Sequence, residues 1–179
     1  MKTIARFILF TLLGWKIENT FPTTPKKYVV IAAPHTSWVD FPIAILTRMS
    51  LGVMVHFIGK GSLFKPPFGF FFRKLGGTPV DRSQSNNLVD AVVQIFNRKE
   101  EFRLGLSPEG TRKKVEKWKT GFYYIAKGAN VPIVMATLDF GNKRVKISDP
   151  YYITDNKEKD FEVFYDFFKN IKGKNPELF

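Results

Sequence analysis

The feature that most limits how this chain can fold is a set of short runs of branched and aromatic residues, each closed by turn-forming residues. They lie at 28–32, 53–58, 102–106, 131–137 and 143–147, with a briefer one at 76–82 after Gly76-Gly77. Runs of this length and composition read as strands. Between them lie segments with the apolar spacing of helices. Residues 41–49 are dense enough to be packed, and 88–96 carry Leu88, Val89, Val92, Val93, Ile95 and Phe96 on one face, with Ser83 or Ser85 as a cap. Residues 120–127 form a further helix with Gly128 as its C-cap, and 160–171 align Phe161, Phe164, Phe168 and Ile171. Strands alternating with helices predict an α/β fold with a mixed, largely parallel central sheet flanked by helices. In such sheets ligands collect beyond the carboxyl ends of the strands.

At 179 residues the chain is sized for one domain, read as 28–179, preceded by a segment 1–27. Residues 4–15 are apolar and helical in pattern, bracketed by Lys2, Arg6 and Lys16. A span needs about 20 apolar residues, so the segment is too short to cross a membrane. No small-residue cleavage site follows it, which argues against a secretory signal. Two readings remain: a helix lying in a membrane interface with Trp15 at headgroup level, or a helix packed on the domain's own core. Residues 19–27, with Pro22 and Pro25, form a connector.

The 28 Lys and Arg residues outnumber 16 Asp and Glu, giving a net charge of +12 that favours anionic partners. The aromatic residues cluster with apolar ones instead of alternating with basic ones as stacking platforms, which weighs against nucleic acid. Nineteen phenylalanines tilt the choice toward lipid. Five of them crowd residues 63–74 between basic residues, suiting a core, an acyl channel or a surface that dips into a bilayer. The lysines from 113 to 119 read as a solvated face or a headgroup contact. There is no cysteine, which removes disulfides, thiolate metal sites and a cysteine nucleophile together.

Two polar stretches follow strands. In the first, Ala33-Pro34-His35-Thr36-Ser37-Trp38-Val39-Asp40, a histidine precedes a helix whose first turn holds a carboxylate. An aspartate accepting from one ring nitrogen fixes the tautomer and leaves the other nitrogen as a base. No serine sits in a nucleophile elbow, so the substrate must bring its own nucleophile, a hydroxyl deprotonated by His35. Backbone amides at the start of the following helix could hold the oxyanion. The second stretch, Ser107-Pro108-Glu109-Gly110-Thr111-Arg112, offers an anion clamp, since Arg presents a planar fork and Gly permits close backbone approach. Lys60 and Arg82 are the other basic groups placed after strands, although Arg82 could equally pair with Asp81. His56, inside an apolar run, reads as a structural histidine.

Taken together these blocks resemble a known family. Pro34-His35-Thr36-Ser37-Trp38-Val39-Asp40 is similar to the Asn-His-x-Ser-x-x-Asp block of the glycerolipid acyltransferases, the lysophosphatidic acid acyltransferase family. Residues 77–82 resemble its second block, 107–112 its Phe-Pro-Glu-Gly-Thr-Arg block, and 131–134 its fourth. Pro34 stands for the usual Asn, Ser107 for an aromatic, and Met135 where a second proline is common.

The resemblance implies an O-acyltransferase that moves a fatty acyl group from a thioester, acyl-coenzyme A or acyl-carrier protein, to the free hydroxyl of a lysophospholipid. Lysophosphatidate is the first acceptor implied, and a lyso-aminolipid such as lyso-ornithine lipid the alternative. It implies His35 as base, Asp40 as its orienter, and Arg112, Arg82 and Lys60 around the acceptor's phosphate. Glu109 would hold either the loop or the acceptor's head, beside Gly110 and Thr111. No metal or prosthetic group is implied, and the protein would sit on the cytoplasmic face of a membrane. A non-catalytic binder of anionic membrane is the rival that rests on charge alone.

Overall fold

A computed structural model describes residues 1–80, 85–154 and 156–179. Among these, the strands fall into two sheets. The central sheet has five parallel strands, β2 (Lys27–Ala33), β3 (His56–Lys60), β4 (Gly77–Val80), β5 (Phe102–Leu106) and β6 (Ile133–Thr137), in the order β4-β3-β5-β2-β6. A second sheet pairs β1 (Lys16–Glu18) in parallel with β7 (Arg144–Lys146).

Strand β2 shows why the sheet is covered on both faces. Its residues are nearly all buried, and they alternate between two cores. Val29, Ile31 and Ala33 pack toward α4 (Ser85–Arg98), α5 (Gly121–Ala129) and α6 (Lys157–Phe168), through Phe96, Phe122, Ala126 and Phe164 among others. Tyr28 and Val30 face Leu9, Trp15, Phe21 and Ile43, the last on α2 (Asp40–Leu51). The N-terminal segment therefore shares this second core.

The connections place the site. From β2 the chain runs through α2 to β3, passing over β5; from β5 it runs through α5 to β6, passing over β2. Adjacent strands are thus left in opposite directions, which opens a crevice at their carboxyl ends. Ile31 pairs with Leu106 at that end, so the loops after β2 and β5 emerge side by side.

Several local expectations shift. The second strand begins at His56, not residue 53, because Gly52 caps α2 at φ 75° and residues 53–55 complete the turn. Arg48 braces that turn by donating to the carbonyls of Val55 and Leu75. Helix α5 runs through Gly128 to Ala129, and Asn130 at φ 50° is its C-cap. Gly128 serves packing instead: a Cβ there would lie 3.0 Å from a methyl of Val93 on α4. The run at 143–147 joins β1, touching the central sheet through an antiparallel bridge from Ile147 to Ala136. The last helix covers Lys157–Phe168, leaving residues 169–179 as a tail. Ser83 lies outside the described residues, and α4 begins at Ser85.

At the N-terminus, α1 (Lys2–Arg6) continues into a π-helical segment, Phe7–Leu12. Ala5 and Leu9 are buried while Ile4, Phe7 and Leu12 are exposed, so one face packs on the core and the other does not. Trp15 is buried edge-to-face on Phe140 with ring centroids 4.9 Å apart, which corrects its expected place at headgroup level. Among the described residues no helix is long and apolar enough to cross a membrane.

Candidate active site

His35 leaves the end of β2, and Asp40 opens α2. Five residues apart across a tight turn, they meet: His35 Nδ1 donates to Asp40 Oδ2 at 3.0 Å. A carboxylate only accepts, so it fixes the proton on Nδ1 and leaves Nε2 with its lone pair. The Ser37 amide donates to the same oxygen at 2.9 Å, locking the carboxylate in place. Asp40 is buried and its Oδ1 has no hydrogen-bond partner among the described residues, while the His35 ring is partly exposed. Catalytic pairs of this kind keep the orienting acid dry and the base within reach of substrate.

The amides at the start of α2 are already engaged. Val39 donates to Ser37 Oγ at 3.3 Å, Asp40 to the Ser37 carbonyl and Phe41 to the Trp38 carbonyl, both at 3.4 Å. These bonds are long, and they close the turn internally.

Glu109, on the loop after β5, reaches under the His35 loop. Its Oε1 accepts the His35 amide at 2.8 Å and its Oε2 accepts Ser107 Oγ at 2.7 Å. With both oxygens holding protein donors and the residue only 3% exposed, Glu109 ties the two loops together. Burial pushes its pKa up, and the two hydrogen bonds pull against that rise. Gly110 turns the loop at φ 66°, and a Cβ there would come within 2.8 Å of Lys119. Thr111 is half-buried, its hydroxyl accepting from the Lys113 amide at 3.3 Å, and Arg112 is exposed.

His35, Asp40, Glu109, Gly110, Thr111 and Arg112 therefore belong to one pair of adjoining loops. Lys60 ends β3, on the far side of β5 from the His35 loop, and is exposed. Arg82 and Asp81 lie outside the described residues. His56 is structural: its ring packs on Phe102 with centroids 4.8 Å apart, and Nδ1 donates to the Arg103 carbonyl at 3.3 Å. Burial, first, and the nearby Lys99 push its pKa down.

Two features of the site carry no local sequence signal. Asn175 clasps the residue next to the histidine, its amide donating to Thr36 Oγ1 at 3.1 Å and its Nδ2 to the Thr36 carbonyl at 2.9 Å. Gly173 passes so close that a Cβ would sit 2.6 Å from Thr36 Oγ1. The same tail walls a cavity of about 340 Å³ that reaches Glu109, lined also by Trp118, Tyr165, Phe168, Leu178 and Phe179.

An imidazole oriented by a buried carboxylate at the carboxyl end of a parallel sheet is an arrangement that can take a proton from a substrate. The chain belongs to the acyltransferase family, whose model matches residues 15–138. Its fold is similar to the crystal structure of the 1-acyl-sn-glycerophosphate (LPA) acyltransferase PlsC from Thermotoga maritima, with a TM-score of 0.67 at 20% identity. That likeness covers 94% of this chain and 75% of the other. No curated protein matches the sequence. The clasping tail lies beyond the span that the family model matches.

Proposed function

We propose that the protein transfers a fatty acyl group from an acyl thioester, on coenzyme A or a carrier protein, to the free hydroxyl of a lysophospholipid, foremost lysophosphatidate. The observation that carries this reading is the His35–Asp40 hydrogen bond, set beside the Glu109 to Arg112 loop in a family of acyltransferases.

His35 Nε2 takes the proton of the acceptor hydroxyl as its oxygen attacks the thioester carbonyl carbon. The C–O bond forms, the carbonyl π electrons move to oxygen, and Asp40 stabilises the imidazolium. Collapse of the tetrahedral intermediate breaks the C–S bond, and the proton on Nε2 passes to the departing sulfur. Glu109 holds His35 through the backbone, while Arg112, exposed at the mouth, supplies the fork for an acceptor phosphate, with Lys60 and Arg82 as further basic groups. The net charge of +12 supports work on the cytoplasmic face of an anionic membrane.

Incubation with labelled acyl thioester and a panel of lysolipids, read by product mass, tests the reading. The parent should acylate lysophosphatidate and His35→Ala should not; full activity in His35→Ala would overturn the mechanism. Arg112→Ala should raise KM for phosphorylated acceptors. An unchanged KM, or a preference for lyso-ornithine lipid, would remove the phosphate clamp.

A further inference from the structure

Residues 61–74 turn three of their five phenylalanines outward. Phe68 is 69% exposed, Phe70 74% and Phe71 56%, and Leu63 is exposed beside them. Single exposed apolar residues are ordinary, but three phenylalanines within four positions form a patch. The segment is nonetheless anchored. Phe64 is buried, and Phe72 packs against Phe64 at 6.2 Å and Phe41 at 6.3 Å, the latter also edge-to-face on Phe57 at 5.0 Å. One set of rings fixes α3 (Gly69–Lys74) to the protein while the other is presented to the surroundings.

The charge around these rings has one sign. Residues 60–74 contain Lys60, Lys65, Arg73 and Lys74 and no acidic residue. Lys74 Nζ lies 6.0 Å from the Phe70 ring centroid, so cation and ring share one surface. The patch is also joined to the site, since its anchor Phe41 directly follows Asp40. Trp38, 70% exposed, lies one turn before Phe41, whose amide donates to the Trp38 carbonyl.

We propose that the segment from Leu63 to Lys74 is a lipid-contact element. Phe68, Phe70 and Phe71 enter the interface of an anionic glycerophospholipid bilayer, and Lys65, Arg73 and Lys74 rest on its headgroups. Because α3 is packed on Phe41, this docking sets the mouth beside His35 at the membrane surface, where a lysolipid hydroxyl lies. The orientation rests on the proposed acyl transfer; the binding does not. Aromatic rings flanked only by cations suit an anionic bilayer better than a protein partner, which would need acidic residues of its own around an apolar pocket.

The test uses the full chain and vesicles of phosphatidylcholine with or without phosphatidylglycerol, read by co-sedimentation. The triple variant Phe68→Ser, Phe70→Ser, Phe71→Ser removes exposed rings only, so its circular dichroism should match the parent. Its partition onto anionic vesicles should fall at least about tenfold. The parent's binding should weaken with salt and with loss of phosphatidylglycerol. The single Phe70→Ser, the mildest change, should show a smaller fall in the same direction. Transfer to a vesicle-embedded acceptor should drop with partition, while transfer to a monodisperse short-chain acceptor stays at the parent's rate. Parental partition by the triple variant would overturn the proposal, as would parental preference for neutral vesicles. A change of mass in solution with unchanged vesicle binding would assign the patch to a protein contact instead. If no form transfers acyl groups, the proposed activity fails while the partition measurements still decide the lipid contact.

Discussion

Glu109 and Asp160 are both buried carboxylates, and their surroundings push them in opposite directions. Asp160, 0% exposed, accepts from the hydroxyls of Tyr123 and Tyr151 and from the amide and hydroxyl of Thr154. Burial raises its pKa, but these donors prevail and hold it below the ordinary value. Its hydrogen-bond partner Tyr151 is pushed up to about 12, by burial first and then by the carboxylate. Glu109 has two donors, and burial wins. The difference lies in how fully each buried carboxylate is answered by donors. Asp160 stitches the start of α6 to the segment after β7 with every acceptor answered, whereas the site carboxylates hold an imidazole and a loop at some cost in stability.

The largest effect should come from Asp40→Asn, which keeps the shape and loses the carboxylate. A fall in kcat of about 10³-fold or more is expected, with the unfolding midpoint almost unmoved. Parallel loss of activity and midpoint would erase the distinction from Asp160. Asp160→Asn should do the reverse, lowering stability by roughly 3 kcal/mol, about 6–12 °C in Tm, while kcat per folded molecule holds. Thermal melts followed by activity at low temperature separate the two.

The pH dependence sharpens the contrast. A depressed native pKa means that the contribution of Asp160 is present above its unfolded value, 3.8, and is lost as pH falls through the native one. The parent should therefore lose stability below about pH 4 more steeply than Asp160→Asn does. A raised native pKa means that stability linked to Glu109 is present below 4.5 and declines as pH rises through the native value. Glu109→Gln should consequently gain stability relative to the parent as pH rises from 4.5 through the native value, as denaturant melts at pH 4 and pH 7 would show. The smallest expected effect is that of Asn175→Ala. The Thr36 carbonyl loses the bond from Asn175 Nδ2 while the backbone amide of residue 175 still donates to Thr36 Oγ1, and kcat should fall several-fold with KM little changed. Thr36→Ser, which keeps the hydroxyl, should retain the parental rate; equal losses in both variants would indicate general loosening.

The sheet was legible because branched runs and turn residues mark strands that are buried on both faces, as in 28–33. The His35–Asp40 pair was legible because five residues around a turn leave one geometry for contact. What sequence alone missed depends on distant partners. Trp15 looks interfacial beside Lys16, yet Phe140 covers it. Gly128 looks like a cap, yet it is small to admit Val93. Glu109 reads equally as holding its loop or an acceptor's head, and only the fold brings the His35 amide onto its carboxylate. Loop-to-loop bonds of this kind have no period, so no pattern along the chain announces them.

The clasp between Thr36 and Asn175 also has a consequence in time. The two residues lie 139 positions apart, and the histidine loop is made long before its brace. At about 5–20 residues per second of synthesis, that interval is on the order of ten seconds. During it the parallel strands already translated can begin to pair, but the turn that carries His35 lacks its second support. A chain cut before residue 175 is in the same position permanently. Full support of the histidine loop is therefore among the last features the growing protein acquires, and a shortened copy that can still bury most of its core goes without it.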